Sequence, residues 1–256
     1  MIDAHIHLSQ YDRDTLYEQI NTWQEAGVKQ VIAVSNDLQS SYKTLELQQT
    51  FPHFVLACVG FHPEYPLPCE QEVEEWKRLV NLERERITAI GEIGLPHYNL
   101  ASLPQTLEQS IDFLGDLLHV ASAHNLPVAL HAVHDKAEIV YSLLQKASIK
   151  HAHFHWLKAP EHTLNQIIEA DYFVSVTPEV CYRLRDQKLA KKVPLTQLLI
   201  ETDGPWPFEG IFKNKQTTPL FLAKMLQQLA KIKRTTPQDV QKQTFINTKH
   251  CYKLQN

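Results

Sequence analysis

Short apolar runs rich in Val, Ile and Ala recur along the chain, separated by longer stretches in which apolar residues return with helical spacing. Continuous apolar runs without polar alternation predict strands buried on both faces, as in a parallel sheet. Eight such runs stand at 2–7, 28–34, 54–60, 87–92, 127–131, 150–155, 172–176 and 198–202. Between them, Leu16, Ile20 and Trp23, then Val73, Trp76, Leu79 and Val80, then Ile111, Leu114, Leu118 and Val120 are spaced to bury one helix face on that sheet. Two further helical stretches, around 217–232 and 237–252, close the chain.

Strand and helix alternating in this way permit a doubly wound sheet or a closed barrel, and periodicity alone does not separate them. The polar residues do. In a barrel, functional groups arrive from the C-terminal ends of several strands, because those ends share one mouth. His5, His7, His62, Glu92, His131, His155 and Asp203 all fall at or just past a predicted strand end. The expectation is therefore an α/β fold, a (β/α)8 TIM barrel. No low-complexity stretch or linker divides the 256 residues, so 1–256 is expected to be one domain.

Composition narrows the function classes. With 43% hydrophobic and 21% charged residues the chain reads as globular. A formal net charge of −4 argues against gripping nucleic acid through an overall basic field, so any such contact has to be local. Cations held in one pocket would reverse the potential there without changing the surface. Cys58, Cys69, Cys181 and Cys251 are far apart, with no C-x-x-C pair, and fit reduced thiols in the cytoplasm. No signal peptide or membrane-spanning run is read, and the seven glycines form no nucleotide-binding loop, so no membrane partner and no organic cofactor is expected.

The candidate chemistry starts at Asp3-Ala4-His5-Ile6-His7, where alternate strand positions point the same way and two imidazoles can reach one ion. Glu92, in Gly91-Glu92-Ile93-Gly94, can bridge two cations, with the glycines letting the backbone turn close to the site. His131 ends an apolar strand. His151, His153 and His155 alternate along the sixth, with His155 nearest the rim as the candidate ligand, His153 inside the barrel or supporting a ligand, and His151 structural or exposed. Asp203 follows Leu198-Leu199-Ile200 and can bind a metal while taking a proton from its water. Each residue alone also has an ordinary explanation, as a solvated, capping or core-paired group. Together they make four histidines and two carboxylates, a set suited to two divalent ions, with zinc, manganese or iron favoured over magnesium alone.

These residues carry a resemblance to a known family. Asp3–His7, Val59-Gly60-Phe61-His62-Pro63, Gly91–Leu95, Pro127-Val128-Ala129-Leu130-His131, His155, Glu201-Thr202-Asp203-Gly204-Pro205-Trp206 and Thr244-Phe245-Ile246-Asn247 occur from end to end in an order and spacing that resemble the TatD family of metal-dependent hydrolases, within the amidohydrolase superfamily. The resemblance implies that His5, His7, Glu92 and Asp203 hold one metal, that Glu92, His131 and His155 hold the second, and that His62 faces the substrate. It also implies deoxyribonuclease activity or removal of D-amino acids from tRNA. The departures fall beside the ligands. Pro96 stands where relatives carry aspartate, and Val133 where many carry an arginine suited to phosphate. The run His155-Trp156-Leu157-Lys158-Ala159 lacks the family's glycine, with Lys158, Lys136 or His134 available to supply the missing cation.

The expected reaction is hydrolysis of a phosphodiester, with DNA or a similar substrate bound transiently. A hydroxide shared by two cations attacks, Asp203 takes the proton and His62 donates to the attacked group. Trp206 is placed either to line the mouth and stack on a base or sugar, or to pack. Two rivals stand beside this reading: a carboxylic-ester, lactone, amide or D-aminoacyl-tRNA hydrolase with the same metals, and a non-catalytic metal-binding or partner-binding barrel.

Overall fold

A computed structural model describes residues 1–255. Strands β1 (Ile2–Ile6), β2 (Gln30–Val34), β3 (Val55–Val59), β4 (Ile87–Gly94), β5 (Val128–Val133), β6 (Ala152–Lys158), β7 (Phe173–Val176) and β8 (Leu198–Ile200) alternate with helices α1 (Arg13–Glu25), α2 (Leu38–Thr50), α3 (Glu70–Leu82), α4 (Leu107–Ala123), α5 (Lys136–Lys146), α6 (Glu161–Glu169) and α7 (Leu184–Lys192). Helices α8 (Leu222–Lys233) and α9 (Pro237–Cys251) follow. Among the described residues the strands form one parallel sheet in the order β1 to β8. Each predicted strand is present. No helix among the described residues is long and apolar enough to cross a membrane.

The twofold repeat of each strand sorts its side chains into two apolar layers. Val31 and Ala33 pack outward with Leu16, Ile20 and Trp23 of α1 and with Trp76 of α3. Ile32 and Val34 join Ala4, Cys58, Ala89, Ala129, Phe173 and Leu199 in the barrel interior. Local signals set the helix starts. Thr106 accepts from the N3 amide while Gln109 reaches back to Thr106, and Asp37 caps α2 in the same reciprocal way.

Side chains and loops join the two ends of the sheet at the mouth. Asp203 N–H donates to the His5 carbonyl at 3.0 Å, and His7 N–H to Gly204 O at 2.8 Å. The buried Asp3 carboxylate accepts from Thr202 N–H at 2.9 Å and from the Thr202 hydroxyl at 2.5 Å. Helix α9 supports the same seam from below. Asn247 Nδ2 donates to the carbonyls of Leu195 and Leu198, at 2.7 and 2.8 Å, where β8 begins. The buried Tyr252 hydroxyl lies 2.7 Å from His153 Nδ1 and donates to Ala4 O at 3.3 Å.

Several boundaries differ from the sequence expectation. β6 continues to Lys158, so His155 lies within it and not at its end; its register shifts next to Trp156, a residue with φ of +38°. β4 runs to Gly94, which places both glycines of Gly91-Glu92-Ile93-Gly94 in the strand, where no turn occurs. Their role is close approach. A Cβ on Gly91 would lie 2.7 Å from Ala129 Cβ, and one on Gly94 only 1.9 Å from the His131 carbonyl oxygen. β8 stops at Ile200, leaving Glu201 and Asp203 in the following loop. The stretch expected to be helical from 217 starts at Leu222, preceded by a 3-10 turn over Pro219–Phe221.

Candidate metal centre

Glu92 is the fully buried hub of the mouth, and its two carboxylate oxygens face different partners. Oε2 lies 3.0 Å from His5 Nε2 and 3.4 Å from His7 Nε2. Asp203 Oδ1 completes that side, 3.6 Å from His5 Nε2 and 3.4 Å from His7 Nε2. Oε1 lies 2.9 Å from His155 Nε2, 3.0 Å from His131 Nδ1 and 3.4 Å from His62 Nε2. The structure thus brings together all seven rim residues singled out in the sequence.

The spacing suits divalent ions. Two ligand atoms each about 2.0–2.2 Å from one ion, and about 90–110° apart around it, sit about 2.8–3.6 Å from each other. The separations around Glu92 fall in that range. Burial by itself would raise the Glu92 carboxyl, but the ring of imidazoles outweighs it and holds the group well below the usual carboxylate range. Asp203 adopts a left-handed φ of +50°, a conformation that aspartate tolerates better than most residues, and this turns its carboxylate back toward His5 and His7.

His155 lies between two carboxylates, its Nδ1 3.3 Å from Glu201 and its Nε2 2.9 Å from Glu92, and these outweigh burial and push its pKa well up; with an ion on Nε2, Glu201 would keep the remaining ring proton on Nδ1. His131 is likewise set between two carboxylates, its Nδ1 3.0 Å from Glu92 and its Nε2 3.3 Å from Glu64 Oε1; an ion on Nδ1 would leave the ring proton on the Glu64 side. His62 is arranged the other way. Its Nδ1 accepts from Glu64 N–H at 3.2 Å, and burial pushes its pKa down to about 3, so the neutral ring carries its proton on Nε2. An Nε2 bearing a proton donates a hydrogen bond and cannot ligate. That geometry gives His62 a role different from its neighbours.

Glu64 and Glu201 were not singled out in the sequence. Glu201 was legible, since it stands two residues from Asp203, but a carboxylate near a strand end is commonplace. Glu64 had no such signal. It is positioned by tertiary contacts alone, accepting from the N–H groups of His97, Tyr98 and Asn99 at 2.7, 2.9 and 2.7 Å, in the loop that follows β4 and contains Pro96. Those bonds, with His131, outweigh burial and lower its carboxyl to about 2. His153 is buried between Tyr252 and Glu201, its Nε2 3.4 Å from the latter, as a residue supporting His155. His151 packs near His250.

The centre opens into a cavity of about 800 Å³. His62, Val133, Trp156, Lys158 and Trp206 line it, together with Arg183 and Arg185, which the sequence did not mark. Trp206 is 56% exposed at the rim, its ring edge-on to Trp156 at 6.1 Å, so it is no core-packing residue. Of the three cations weighed as substitutes for the arginine absent at Val133, Lys158 lines the cavity. Lys136 is buried beside Asp135, and His134 lies against His97 at 4.5 Å between ring centroids; neither is among the cavity's described lining residues.

A parallel barrel carrying this donor set at its C-terminal mouth is the architecture of a metal-dependent hydrolase. Residues 2–253 match the family described as TatD related DNase, and the chain belongs to that family. Over 255 residues it is 36% identical to an uncharacterized metal-dependent hydrolase of Haemophilus influenzae, covering 99% of this chain and 100% of the relative. Over 252 residues it is 27% identical to the 3'-5' ssDNA/RNA exonuclease TatD of Erwinia tasmaniensis, covering 95% of this chain and 94% of that one. The crystal structure of YJJV, a TatD homolog from Escherichia coli, shares the fold with a TM-score of 0.88 at 19% identity, covering 100% of this chain and 98% of the other.

Proposed function

We propose that the protein hydrolyses phosphodiester bonds in single-stranded nucleic acid, with two divalent ions held on either side of Glu92. His5, His7, Glu92 and Asp203 would hold one ion, and Glu92, His131 and His155 the other. The observation that carries this reading is the division of labour at Glu92, whose oxygens each meet a separate imidazole set at ligand-to-ligand distances. The imidazole-rich donor set favours zinc or manganese over magnesium. The ssDNA/RNA exonuclease of Erwinia tasmaniensis supports the choice of substrate. Among the described residues all four cysteines are free, which supports a cytoplasmic setting.

Bound divalent ions supply an acidified water and a positive field at the attacked phosphoryl group. The protein's own groups do the rest. Asp203, 7% exposed at the cavity wall, takes the proton released by the attacking water. His62, neutral and protonated on Nε2, donates to a phosphoryl oxygen as negative charge gathers on it. With ions bound, Glu201 and Glu64 would hold the ring protons of His155 and His131 on the nitrogens that face away from Glu92. The exposed Trp206 ring offers a stacking face for a base.

Cleavage of a labelled single-stranded DNA oligonucleotide with added manganese or magnesium, before and after chelation, tests the reading. The expected result is cleavage that chelation abolishes and metal restores, with lactones, dipeptides and D-aminoacyl-tRNA left intact. Activity unaffected by metal removal would refute it, and turnover of the carbonyl substrates alone would transfer the same centre to ester or amide hydrolysis.

A further inference from the structure

Beyond the metal centre, one wall of the cavity carries three cations that the hydrolytic machinery does not use. Lys158 leaves β6 just after the shift at Trp156, and Arg183 and Arg185 come from the start of α7. The buried Glu179 carboxylate gathers the arginines, pairing with Arg183 Nε at 2.6 Å and accepting from Arg185 and from Trp156 Nε1 at 3.2 Å. Asp186, also buried, takes a second contact from Arg185 at 2.9 Å. Two carboxylates therefore face three cations, leaving an excess of one positive charge on this wall in a chain whose net charge is −4.

Lys158 is where that excess collects. Its Nζ lies 4.4 Å from the Trp156 ring centroid and 5.1 Å from that of Tyr98, and donates to the Tyr98 hydroxyl at 2.6 Å. Those partners are neutral, and an ammonium has three donors. Burial and then the neighbouring Arg185 lower its pKa below the ordinary lysine value, while Glu179, Asp186 and Asp203 pull the other way. An anion beside Lys158 would supply the charged contact that its neutral neighbours do not. The wall also adjoins the metal centre, for the Tyr98 ring lies 6.2 Å from that of His131. Tyr98, 53% exposed, and Trp206 present aromatic faces on the same cavity.

We infer that Lys158, Arg183 and Arg185 form a second phosphate subsite, which holds a non-reacting phosphodiester next to the one cleaved and so selects polynucleotide strands over small esters. This rests on the phosphodiesterase reading above and adds the part of the substrate that must be recognised away from the reacting bond. It also bears on Val133, because β5 presents no cation there while Lys158, its register partner on the adjacent β6, and the arginines of α7 do.

The test uses the metal-loaded enzyme and oligothymidylates in which single linkages flanking the cleaved one are replaced by an uncharged methylphosphonate. At one flanking linkage the wild type should show KM raised about tenfold, the scale of losing a charge-assisted contact, with kcat held. Lys158→Gln and, separately, Arg183→Gln should raise KM for the unmodified strand by a similar factor, and the methylphosphonate should then add little. Indifference of the wild type to the modification at every flanking linkage overturns the subsite. So does a loss in the variants that multiplies with the loss from the methylphosphonate, since the cations would then act elsewhere. If the wild type cleaves neither strand with metal present, the phosphodiesterase reading itself fails and the subsite falls with it.

Discussion

Three main-chain N–H groups converge on the Glu64 carboxylate, which still faces His131 Nε2, so one side chain both shapes the 97–99 loop and backs a candidate ligand. Groups that hold a ligand from behind are worth about 10–100-fold in metal affinity or activity when removed. Glu64→Gln should accordingly weaken manganese or zinc binding by that factor in titration calorimetry. An affinity equal to that of the wild type would limit Glu64 to shaping the loop. Residues of this kind are hard to read in a sequence. His5 and His7 announce themselves by sharing a strand face two positions apart, whereas Glu64 meets His131 across 67 positions of chain and gains its meaning only from the fold. Trp206 shows the same limit, because stacking and packing are equally compatible with a tryptophan after proline until its exposure is known.

At the scale of elements, strand positions were legible because apolar runs without alternation are a direct consequence of burial on both faces. Strand ends were less so. The extension of β6 past His155 depends on pairing of Val133 with Lys158 across a register shift, a non-local event. Helix α9 is a second case. Its Thr244-x-x-Asn247 pattern had a family likeness but no assigned task, and the structure shows the Asn247 amide clasping two carbonyls at the start of β8. Asn247→Ala leaves the buried Leu198 carbonyl and the half-buried Leu195 carbonyl without that donor, a loss of about 1–3 kcal/mol. The expected outcome is a lower urea midpoint with an unchanged denaturant slope; a midpoint equal to that of the wild type would show that α9 docks through its apolar contacts alone.

For the whole molecule, closing eight strands into a ring brings candidate ligands from distant parts of the chain to one mouth, and it also concentrates charge there. Folding places Glu92 and five imidazoles in contact inside a low-dielectric pocket, and ion binding is coupled to that folded arrangement. At about a hundredfold excess of ion over Kd, binding stabilises the folded state by about 2.7 kcal/mol. In a chain of this size that corresponds to about 5–10 °C in Tm. Scanning calorimetry before and after chelation should show a fall of that order, reversed by adding manganese or zinc. An unchanged Tm would mean that the folded mouth does not hold the ions.

Periodicity and spacing by themselves determined the strand and helix alternation, the order of the candidate ligands and the side of each strand on which they lie. Each of these follows from geometry within a few residues. Only the tertiary structure decided that the Glu92 oxygens serve separate imidazole sets, that His62 turns a protonated nitrogen inward, and that Lys158, Arg183 and Arg185 share one wall. Those depend on distances between residues far apart in the chain, which barrel closure fixes and local pattern does not encode.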